Sequence, residues 1–409
     1  MILSQISYLD CIVFLIFLAP QLIIHVGLFK TAFWVLGALP YIGNSKSSKL
    51  TISMPTMSDA VLPAIQIPYR FIQERYFTPF DRRTPFVQRA TPFQDFVIRC
   101  VKFAFANMPA FIGRVFFSKP VSLPFLRWRM LRHGYLRSPL PWREVNQQKF
   151  KGIYIVHDES QKPDVVVFYC HGGGFSMGSS YFYMEFLLAW VTLLKAAGFK
   201  NPALFALEYT LVPDAVYPKQ IQECYFGYQH VLDIVGDPSK ICVAGDSAGA
   251  TLVLSLLLYL SDSELEQQLP GHACMISPWV SIISENNRNT ASDYLDAASL
   301  RLYGSQYIGK KVPHDDPLVS PGHCKDPSRW AKASPSKGWS FLFGSEEVLG
   351  PETHSLIEVL EKAGQEVDVH EEPGSIHAWP VALLYLGESR QERLHGLGNA
   401  VDIMAKRLR

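Results

Sequence analysis

A serine at a glycine-flanked turn is the first residue of this chain that could do covalent chemistry. Residues 245–249 read Gly-Asp-Ser-Ala-Gly, with Ser247 at the centre, and they join an apolar run at 241–244 to a longer one at 250–260. The first run has the length of a buried strand and the second that of a buried helix. Because glycine tolerates strained backbone, the pattern predicts a sharp elbow that exposes the serine hydroxyl for attack on a carbonyl carbon.

A serine hydroxyl needs a base, and the base needs a carboxylate that holds its tautomer. His377 lies between the last predicted strand and a predicted helix, so we predict that it is the base. The acid should follow the strand predicted at 339–343, where Glu346 and Glu347 are adjacent. We prefer Glu347 and keep Glu346 as the alternative. The resulting order along the chain is serine, acid, histidine, which such a nucleophile elbow requires.

A glycine run upstream could stabilise the negative charge that acyl transfer places on a carbonyl oxygen. His171 is followed by Gly172, Gly173 and Gly174, directly after the strand predicted at 165–169. Glycines leave room for a substrate and let several N–H groups face one point, as an oxyanion site requires. Ala248, the residue after the predicted nucleophile, would supply a further N–H donor.

The elements that must position these residues alternate between strand and helix from residue 151 onward. Strands are predicted at 153–156, 165–169, 203–207, 241–244, 273–276, 339–343 and 366–370, and helices at 181–197, 217–235, 353–363 and 390–407. This alternation predicts an α/β fold with a mostly parallel sheet covered by helices on both faces. The polar stretch 285–338 is predicted to be an insertion at the edge of the sheet.

The N-terminal region is predicted to contain a membrane anchor. Residues 11–29 contain no Asp, Glu, Lys or Arg, and their number matches the roughly 20 residues needed to cross a bilayer. We predict a hydrophobic anchor at 1–43 that spans the membrane once. An interfacial hairpin broken at Pro20 and Lys30 is the first alternative, and a cleaved signal peptide is the second. The sequence leaves open which side of the membrane the catalytic domain occupies.

A polar linker is predicted at 44–61 and a hydrolase-type domain at 62–409. Apolar residues alternate with basic ones in 62–142, which predicts amphipathic helices. These helices and part of 285–338 are predicted to form a cap over an apolar site.

Composition excludes several other classes of protein. The formal net charge of the 409 residues is +1, and no long Lys/Arg cluster occurs, so we predict no nucleic-acid partner. The 7 cysteines have no paired spacing, which argues against a disulfide framework. The acidic, histidine and cysteine residues at 314–316 and 323–324 match no zinc spacing, so we predict no metal. Asp246, beside the nucleophile, is predicted to fix a loop as a hydrogen-bond acceptor.

Three blocks of this sequence resemble the signature motifs of the hormone-sensitive lipase family of α/β-hydrolases. They are His-Gly-Gly-Gly at 171–174, Tyr-Thr-Leu-Val-Pro-Asp at 209–214 and Gly-Asp-Ser-Ala-Gly at 245–249, and the resemblance extends over about 165–379. It implies an eight-stranded, mostly parallel hydrolase sheet, a cap built partly from N-terminal helices, and serine hydrolysis of carboxylic esters without a cofactor.

The resemblance also implies roles for individual residues. Ser247 would be the nucleophile, His377 the base, and the N–H groups of Gly173, Gly174 and Ala248 the oxyanion donors, while His171 and Gly172 would support the glycine loop. The family's acid block reads Asp-x-Leu, and Glu347-Val348-Leu349 stands in that place.

These observations predict a membrane-associated serine esterase. Its substrate would be a small lipophilic ester, either of a lipophilic alcohol or with a short acyl group such as acetyl. The alternatives are an amide hydrolase, for example an aryl formamidase, and a non-catalytic binding protein on the same fold. By a narrower likeness, the N-terminus resembles that of fungal sterol acetyl-ester hydrolases, which implies the endoplasmic reticulum. The sequence does not determine the substrate or the oligomeric state.

Overall fold

The computed structural model describes residues 2–27, 67–263 and 265–409. The predicted linker at 44–61 lies outside the described residues. So do positions 28–43 of the predicted anchor and positions 62–66 of the predicted cap.

Strands and helices alternate through the second half of the chain, as predicted. The strands are β1 Trp142–Asn146, β2 Lys151–Val156, β3 Val165–Cys170, β4 Pro202–Leu207, β5 Ile241–Asp246, β6 His272–Ile276, β7 Trp339–Gly344 and β8 Val367–Glu372. The α-helices to which we refer are α1 Tyr8–Val26, α2 Pro85–Arg89, α3 Pro92–Asn107, α4 Ala110–Phe116, α5 Lys119–Arg132, α6 Met184–Ala196, α7 Lys219–Val235, α8 Ala248–Asp262, α9 Ala297–Ile308, α10 Pro327–Ala333, α11 Gly350–Lys362, α12 Trp379–Leu386 and α13 Arg390–Leu408.

The eight strands form one sheet in the order β1-β2-β4-β3-β5-β6-β7-β8. All neighbours from β4 to β8 are parallel, whereas β1 pairs with β2, and β2 with β4, in antiparallel fashion. The predicted eight-stranded, mostly parallel sheet is therefore confirmed. Because parallel strands end at the same edge, the loops that follow β3, β5, β6, β7 and β8 can meet.

Strand β1 was missed from the sequence. Its five residues include Arg143, Glu144 and Asn146, and only Val145 is buried. The strand lies at the edge of the sheet, where one side is unpaired and a continuous apolar run is not needed. The strand is identified by its antiparallel pairing with β2, a contact that its own residue pattern does not indicate.

Helix α8 follows the elbow and is buried on nearly all sides. Thirteen of its fifteen residues are buried, including Leu252, Leu256 and Leu260. A helix with almost no solvent face must be apolar nearly all round, which explains why the run after Ser247 is interrupted only by small hydroxyl residues, Thr251 and Ser255. The elbow is thus anchored between the central strand β5 and a core helix.

Helix α3, which precedes β1, contacts residues that follow β6. The ring of Phe105 in α3 lies 6.4 Å from that of Tyr294 and 5.7 Å from that of Tyr303 in α9. Helices α9 and α10 lie in the stretch 285–338, which was predicted as a polar insertion without defined helices. The two stretches predicted to contribute to a cap are therefore in contact with each other.

Candidate active site

Ser247 lies at a strained elbow between β5 and α8. Its backbone has φ 51° and ψ −120°, a conformation that costs a non-glycine residue about 1–3 kcal/mol. A Cβ on Gly249 would lie 2.0 Å from the carbonyl oxygen of Cys170, so helix α8 can approach the end of β3 only with glycine at this position. The elbow predicted from the motif therefore has a steric cause in the packing of helix against strand.

Glu347 and His377 form a buried pair. One carboxylate oxygen of Glu347 lies 3.1 Å from Nδ1 of His377. The other accepts hydrogen bonds from the Ser277 hydroxyl at 2.5 Å and the Gly344 N–H at 2.6 Å. Glu346 instead accepts a hydrogen bond from the Ser292 hydroxyl at 3.1 Å. Of the two adjacent glutamates, Glu347 is the one that contacts the predicted base.

Ser277 links the loops that carry the predicted residues, and it was missed from the sequence. Its hydroxyl donates to Glu347 and accepts from the N–H of Ala378, next to His377, at 2.9 Å. The preceding residue, Ile276, accepts the backbone N–H of Ser247 at 3.1 Å. The loops after β5, β6, β7 and β8 therefore converge. The sequence feature that could have indicated Ser277 is its hydroxyl directly after β6, the strand that follows the elbow strand β5.

The environment of His377 raises the pKa of its imidazole. Burial alone lowers that pKa, but the hydrogen bond and charge of Glu347, together with the charges of Asp293 and Asp246, outweigh burial and bring the pKa above 6.5. A raised pKa makes the imidazole a stronger base. His377 therefore has both the carboxylate partner and the basicity that proton abstraction requires.

Asp246 fixes the glycine loop, as predicted for this position. Its Oδ1 accepts hydrogen bonds from the Gly172 N–H at 2.8 Å and the Tyr169 hydroxyl at 2.6 Å. Its Oδ2 accepts from the Tyr183 hydroxyl at 2.7 Å. A Cβ on Gly172 would lie 2.3 Å from the same carboxylate, which explains why glycine is needed there.

Gly173 and Gly174 both have positive φ, of 112° and 61°. These values turn successive peptide units of the loop in directions that other residues rarely adopt. Within the described residues, no group accepts a hydrogen bond from the N–H of Gly173, Gly174 or Ala248. The assignment of these three N–H groups as oxyanion donors is compatible with this and stays a prediction.

His171 supports this loop from behind. Its Nδ1 donates to the carbonyl oxygen of Gly172 at 2.7 Å, and its ring stacks on Tyr209 at 4.4 Å. The Tyr209 hydroxyl donates to the carbonyl oxygen of His171 at 2.8 Å. Burial lowers the pKa of His171 to about 4, so the ring is neutral at physiological pH. The first and second motif blocks thus pack against each other.

Aromatic rings form a wall beside these groups. The Tyr294 ring lies edge-on to the His377 ring with centroids 5.7 Å apart. A Cβ on Gly174 would lie 3.1 Å from the Tyr303 ring. Phe105 contacts both tyrosines from the side of α3. Aromatic rings therefore border the predicted base and the glycine loop.

One group of side chains could hold a metal ion, among the residues that the structure describes. His370 and Glu372 of β8 and His395 of α13 bring three ligand atoms within 4.8 Å of one another. The Glu372 carboxylate already pairs with both rings, at 2.9 and 3.1 Å. The group was not predicted, and none of its members is a predicted catalytic residue.

Comparison with known proteins identifies the family of the chain. A family model described as alpha/beta hydrolase fold matches residues 167–381. An acetyl-hydrolase of Streptomyces hygroscopicus is 31% identical over 215 residues, which are 52% of this chain and 67% of that protein. The putative steryl acetyl hydrolase mug81 of Schizosaccharomyces pombe (strain 972 / ATCC 24843) is 29% identical over 202 residues, 47% of this chain. The match spans only 52% of that relative.

Solved structures share the architecture. An esterase from the bacterial hormone-sensitive lipase family superimposes with a TM-score of 0.61 at 21% identity and covers 78% of this chain and 99% of its own. The hormone-sensitive lipase homologue EstE7 from a metagenome library has a TM-score of 0.59 at 20% identity and covers 77% of this chain and 99% of its own. A hyperthermophilic esterase from Pyrobaculum calidifontis superimposes with a TM-score of 0.56 at 19% identity and covers 65% of this chain and 85% of its own. At these identities the superpositions establish the fold.

Proposed function

The chain belongs to the α/β-hydrolase fold family, and from this premise we propose that it hydrolyses carboxylic esters through an acyl-enzyme on Ser247. The observation that carries the proposal is the buried Glu347–His377 pair, on loops that converge with the elbow of Ser247, together with three N–H groups without acceptors among the described residues. A nucleophile, an oriented base and a preorganised oxyanion site are the three requirements of acyl transfer.

In the proposed reaction, His377 takes the hydroxyl proton of Ser247 as the serine oxygen attacks the ester carbonyl carbon. Glu347 stabilises the imidazolium that forms, and the N–H groups of Gly173, Gly174 and Ala248 donate to the oxyanion. Collapse of the tetrahedral intermediate breaks the carbon–oxygen bond of the ester, and the alcohol leaves with the proton from His377. A water molecule then repeats the sequence, releasing the acid and restoring the serine.

We propose that the substrate joins a lipophilic alcohol to a short acyl group. The wall formed by Phe105, Tyr294 and Tyr303 provides apolar contact, and Tyr303 limits the space next to Gly174 in the oxyanion loop. The two relatives are named as an acetyl-hydrolase and a putative steryl acetyl hydrolase. An acetyl ester of a hydrophobic alcohol satisfies both observations.

Membrane association is supported by α1, which is long and apolar enough to cross a bilayer; within the described residues it is the single helix of this kind. Its inner face, with Phe14 and Leu18, packs against Val115 and Val121 of α4 and α5. Its outer face is exposed and apolar at Leu9, Ile12, Leu15, Ile16 and Ile24. A helix that lies along a domain with one apolar face free has the form of an interfacial anchor.

Contacts of the residues before α1 favour an interfacial anchor over a single span, but α1 continues through Pro20, where the hairpin was predicted to break. The side-chain amide of Gln5 donates to the carbonyl oxygen of Leu386 at 2.7 Å. Gln94, after the stretch outside the described residues, donates to the same oxygen at 3.2 Å. Since both contacts join the chain to one group of the domain, we propose that residues 2–10 and the hydrolase domain lie on the same side of the membrane. Location in the endoplasmic reticulum stays a prediction.

A fluorophosphonate probe, which labels activated serines, tests the catalytic proposal. We expect the purified wild type to be labelled and to hydrolyse acetyl esters faster than longer acyl esters or an aryl formamide. Ser247→Ala should abolish labelling and lower ester hydrolysis by at least about 10³-fold. Ser263→Ala, at the exposed far end of α8, is the matched control and should behave as wild type. Folded wild-type protein that remains unlabelled would instead favour the non-catalytic binder.

A further inference from the structure

A buried carboxylate outside the predicted triad contacts both loops that carry its acid and base. Asp293 has no exposed surface. Its Oδ1 accepts the backbone N–H of His377 at 3.0 Å and its Oδ2 accepts the N–H of Val348 at 2.9 Å. Val348 directly follows Glu347. One side chain therefore holds the backbone of the predicted base and that of the residue next to the predicted acid.

The residues around Asp293 strengthen this link. The Thr290 hydroxyl donates to the carbonyl oxygen of Glu346 at 2.7 Å and accepts the N–H of Asp293 at 3.0 Å. The Tyr294 N–H donates to Asp293 Oδ1 at 2.8 Å, and the Tyr294 ring packs against His377. We call residues 290–294 the bridging segment. Its hydrogen bonds reach both sides of Glu347 and the backbone of His377.

The bridging segment is also attached to the helices in front of the site. Lys102 of α3 donates to the carbonyl oxygens of Thr290 and Ala291 at 3.0 and 2.9 Å. The same helix carries Phe105, which contacts the ring of Tyr294. The segment therefore lies between the helix that borders the substrate site and the loops of the predicted acid and base.

The charge of Asp293 is placed where a cation forms during the reaction. Within the described part of the chain, its donors are three backbone N–H groups, and no lysine or arginine forms an ion pair with it. It accepts a hydrogen bond in each of these contacts, which favours the ionised form, whereas burial and the charge of Glu347 raise the pKa of the carboxyl above its usual value. A buried carboxylate without a cation is costly, and such groups concentrate at functional sites. When His377 takes a proton, the imidazolium supplies the missing positive charge.

We propose that Asp293 is a positioning residue, which holds the acid and base loops in register and adds a second negative charge beside His377. This inference rests on the proposed function, because it assigns Asp293 a part in the same reaction. The other charged or titratable groups that face His377 are Glu347, Asp246 and Tyr294, while Lys102 faces Asp293 from α3.

The pH dependence separates this role from a purely structural one. Only neutral His377 can accept the serine proton, so kcat/KM is lost as the pH falls through the pKa of that imidazole. The carboxylate of Asp293 contributes to raising this pKa, after Glu347. Asp293→Asn removes the negative charge and so should lower the pKa of His377. The acidic limb of the plot of kcat/KM against pH, where activity falls as His377 is protonated, should then move to lower pH. A variant that merely loosened the fold would lower activity without moving the limb.

The experiment measures kcat and KM for p-nitrophenyl acetate between pH 5 and pH 9. We expect Asp293→Asn to lower kcat/KM by roughly 10- to 100-fold, mainly in kcat, because the reacting groups are displaced. The acidic limb should shift downward in the same variant. Asp296→Asn is the matched control: Asp296 caps α9 three residues away, and the substitution makes the same change in charge. We expect wild-type kinetics and an unshifted limb from it.

A second variant covers the case in which Asp293→Asn does not fold. Thr290→Val removes the hydroxyl contact with Glu346 and keeps the charge of Asp293, so kcat should fall severalfold while the limb stays in place. The inference would be overturned if Asp293→Asn or Thr290→Val folded and had the kcat and KM of the wild type. If the wild type is active and these variants match it, only the role of Asp293 is refuted. If folded wild type is not labelled by the fluorophosphonate, the proposed function itself is refuted.

Discussion

At the scale of single residues, the site depends on carboxylates with different surroundings. Glu347 receives a hydroxyl and a peptide N–H on one oxygen and faces His377 with the other. Asp246 accepts two tyrosine hydroxyls and the Gly172 N–H, so its hydrogen bonds serve the oxyanion loop. The proposed triad role of Glu347 and the loop-supporting contacts of Asp246 are thus distinguished by hydrogen-bond partners, although both carboxylates are buried.

Exchange of each adjacent glutamate for glutamine tests the assignment of the acid. Glu347→Gln should lower kcat/KM for p-nitrophenyl acetate by about 10³- to 10⁴-fold at pH 8, because an amide can stabilise the wrong tautomer of His377. Glu346→Gln loses one acceptor for Ser292 and should stay within about threefold of wild type. Inactivation by Glu346→Gln alone would mean that the acid is misassigned.

At the scale of elements, a buried ionic cluster attaches the N-terminus to the domain. Nε and Nη2 of Arg129 in α5 bind both carboxylate oxygens of Glu185 at 2.9 Å. Arg129 also pairs with Asp10 at 3.4 Å and donates to the carbonyl oxygen of Ser4 at 2.7 Å. All three charged side chains are almost completely buried. Residues 2–10 are therefore an integral part of the domain, which argues against a cleaved signal peptide.

Removal of the central cation of this cluster should be strongly destabilising. Arg129→Met leaves the carboxylates of Asp10 and Glu185 buried without their shared partner, and loss of one member of a buried pair costs about 3–5 kcal/mol. Arg132 still pairs with Asp10 at 2.8 Å, so we expect the lower end of that range. Urea unfolding measures the effect, and limited proteolysis should cut earliest near α1. Arg127→Met, an exposed position of the same helix, is the control. Equal midpoints for the two variants would contradict the role of the cluster.

At the scale of the whole molecule, the proposed anchor places the active site close to the membrane surface. Helix α1 packs on α4, and a Cβ on Gly113 of α4 would lie 2.8 Å from the sulfur of Met177, just beyond the glycine loop. Phe117, which follows α4, accepts a hydrogen bond from the Ser179 hydroxyl. If α1 lies at the membrane surface as proposed, these contacts join it through α4 to the segment that follows the glycine loop.

The topology of the whole chain provides the corresponding test. Epitope tags at the two ends of the protein should lie on the same side of sealed membrane vesicles, since residues 2–10 and the hydrolase domain form one body. Protease added outside should then remove both tags or neither. Removal of one tag, with protection of the other until detergent is added, would instead indicate a single span.

The sequence alone determined the elements that depend on local pattern. Apolar runs of strand length predicted β2 to β7 to within a few residues, because strands buried on both faces need continuous apolar residues. The edge strand β8 was predicted as well, although it alternates apolar and polar residues and none of them is buried. The elbow motif and the glycine run were recognisable because their steric demands allow few residue types. Ser247, His377 and the glycine loop were therefore singled out before any coordinates.

Tertiary structure decided what depends on contacts between distant segments. It distinguished Glu347 from Glu346, since adjacent residues of a loop have the same sequence context and differ only in which one turns inward. It also revealed β1, Ser277 and Asp293, whose importance comes from partners far away in the chain. Sequence patterns record the spacing of residues within an element, whereas the site is built from loops that meet only after the sheet has formed.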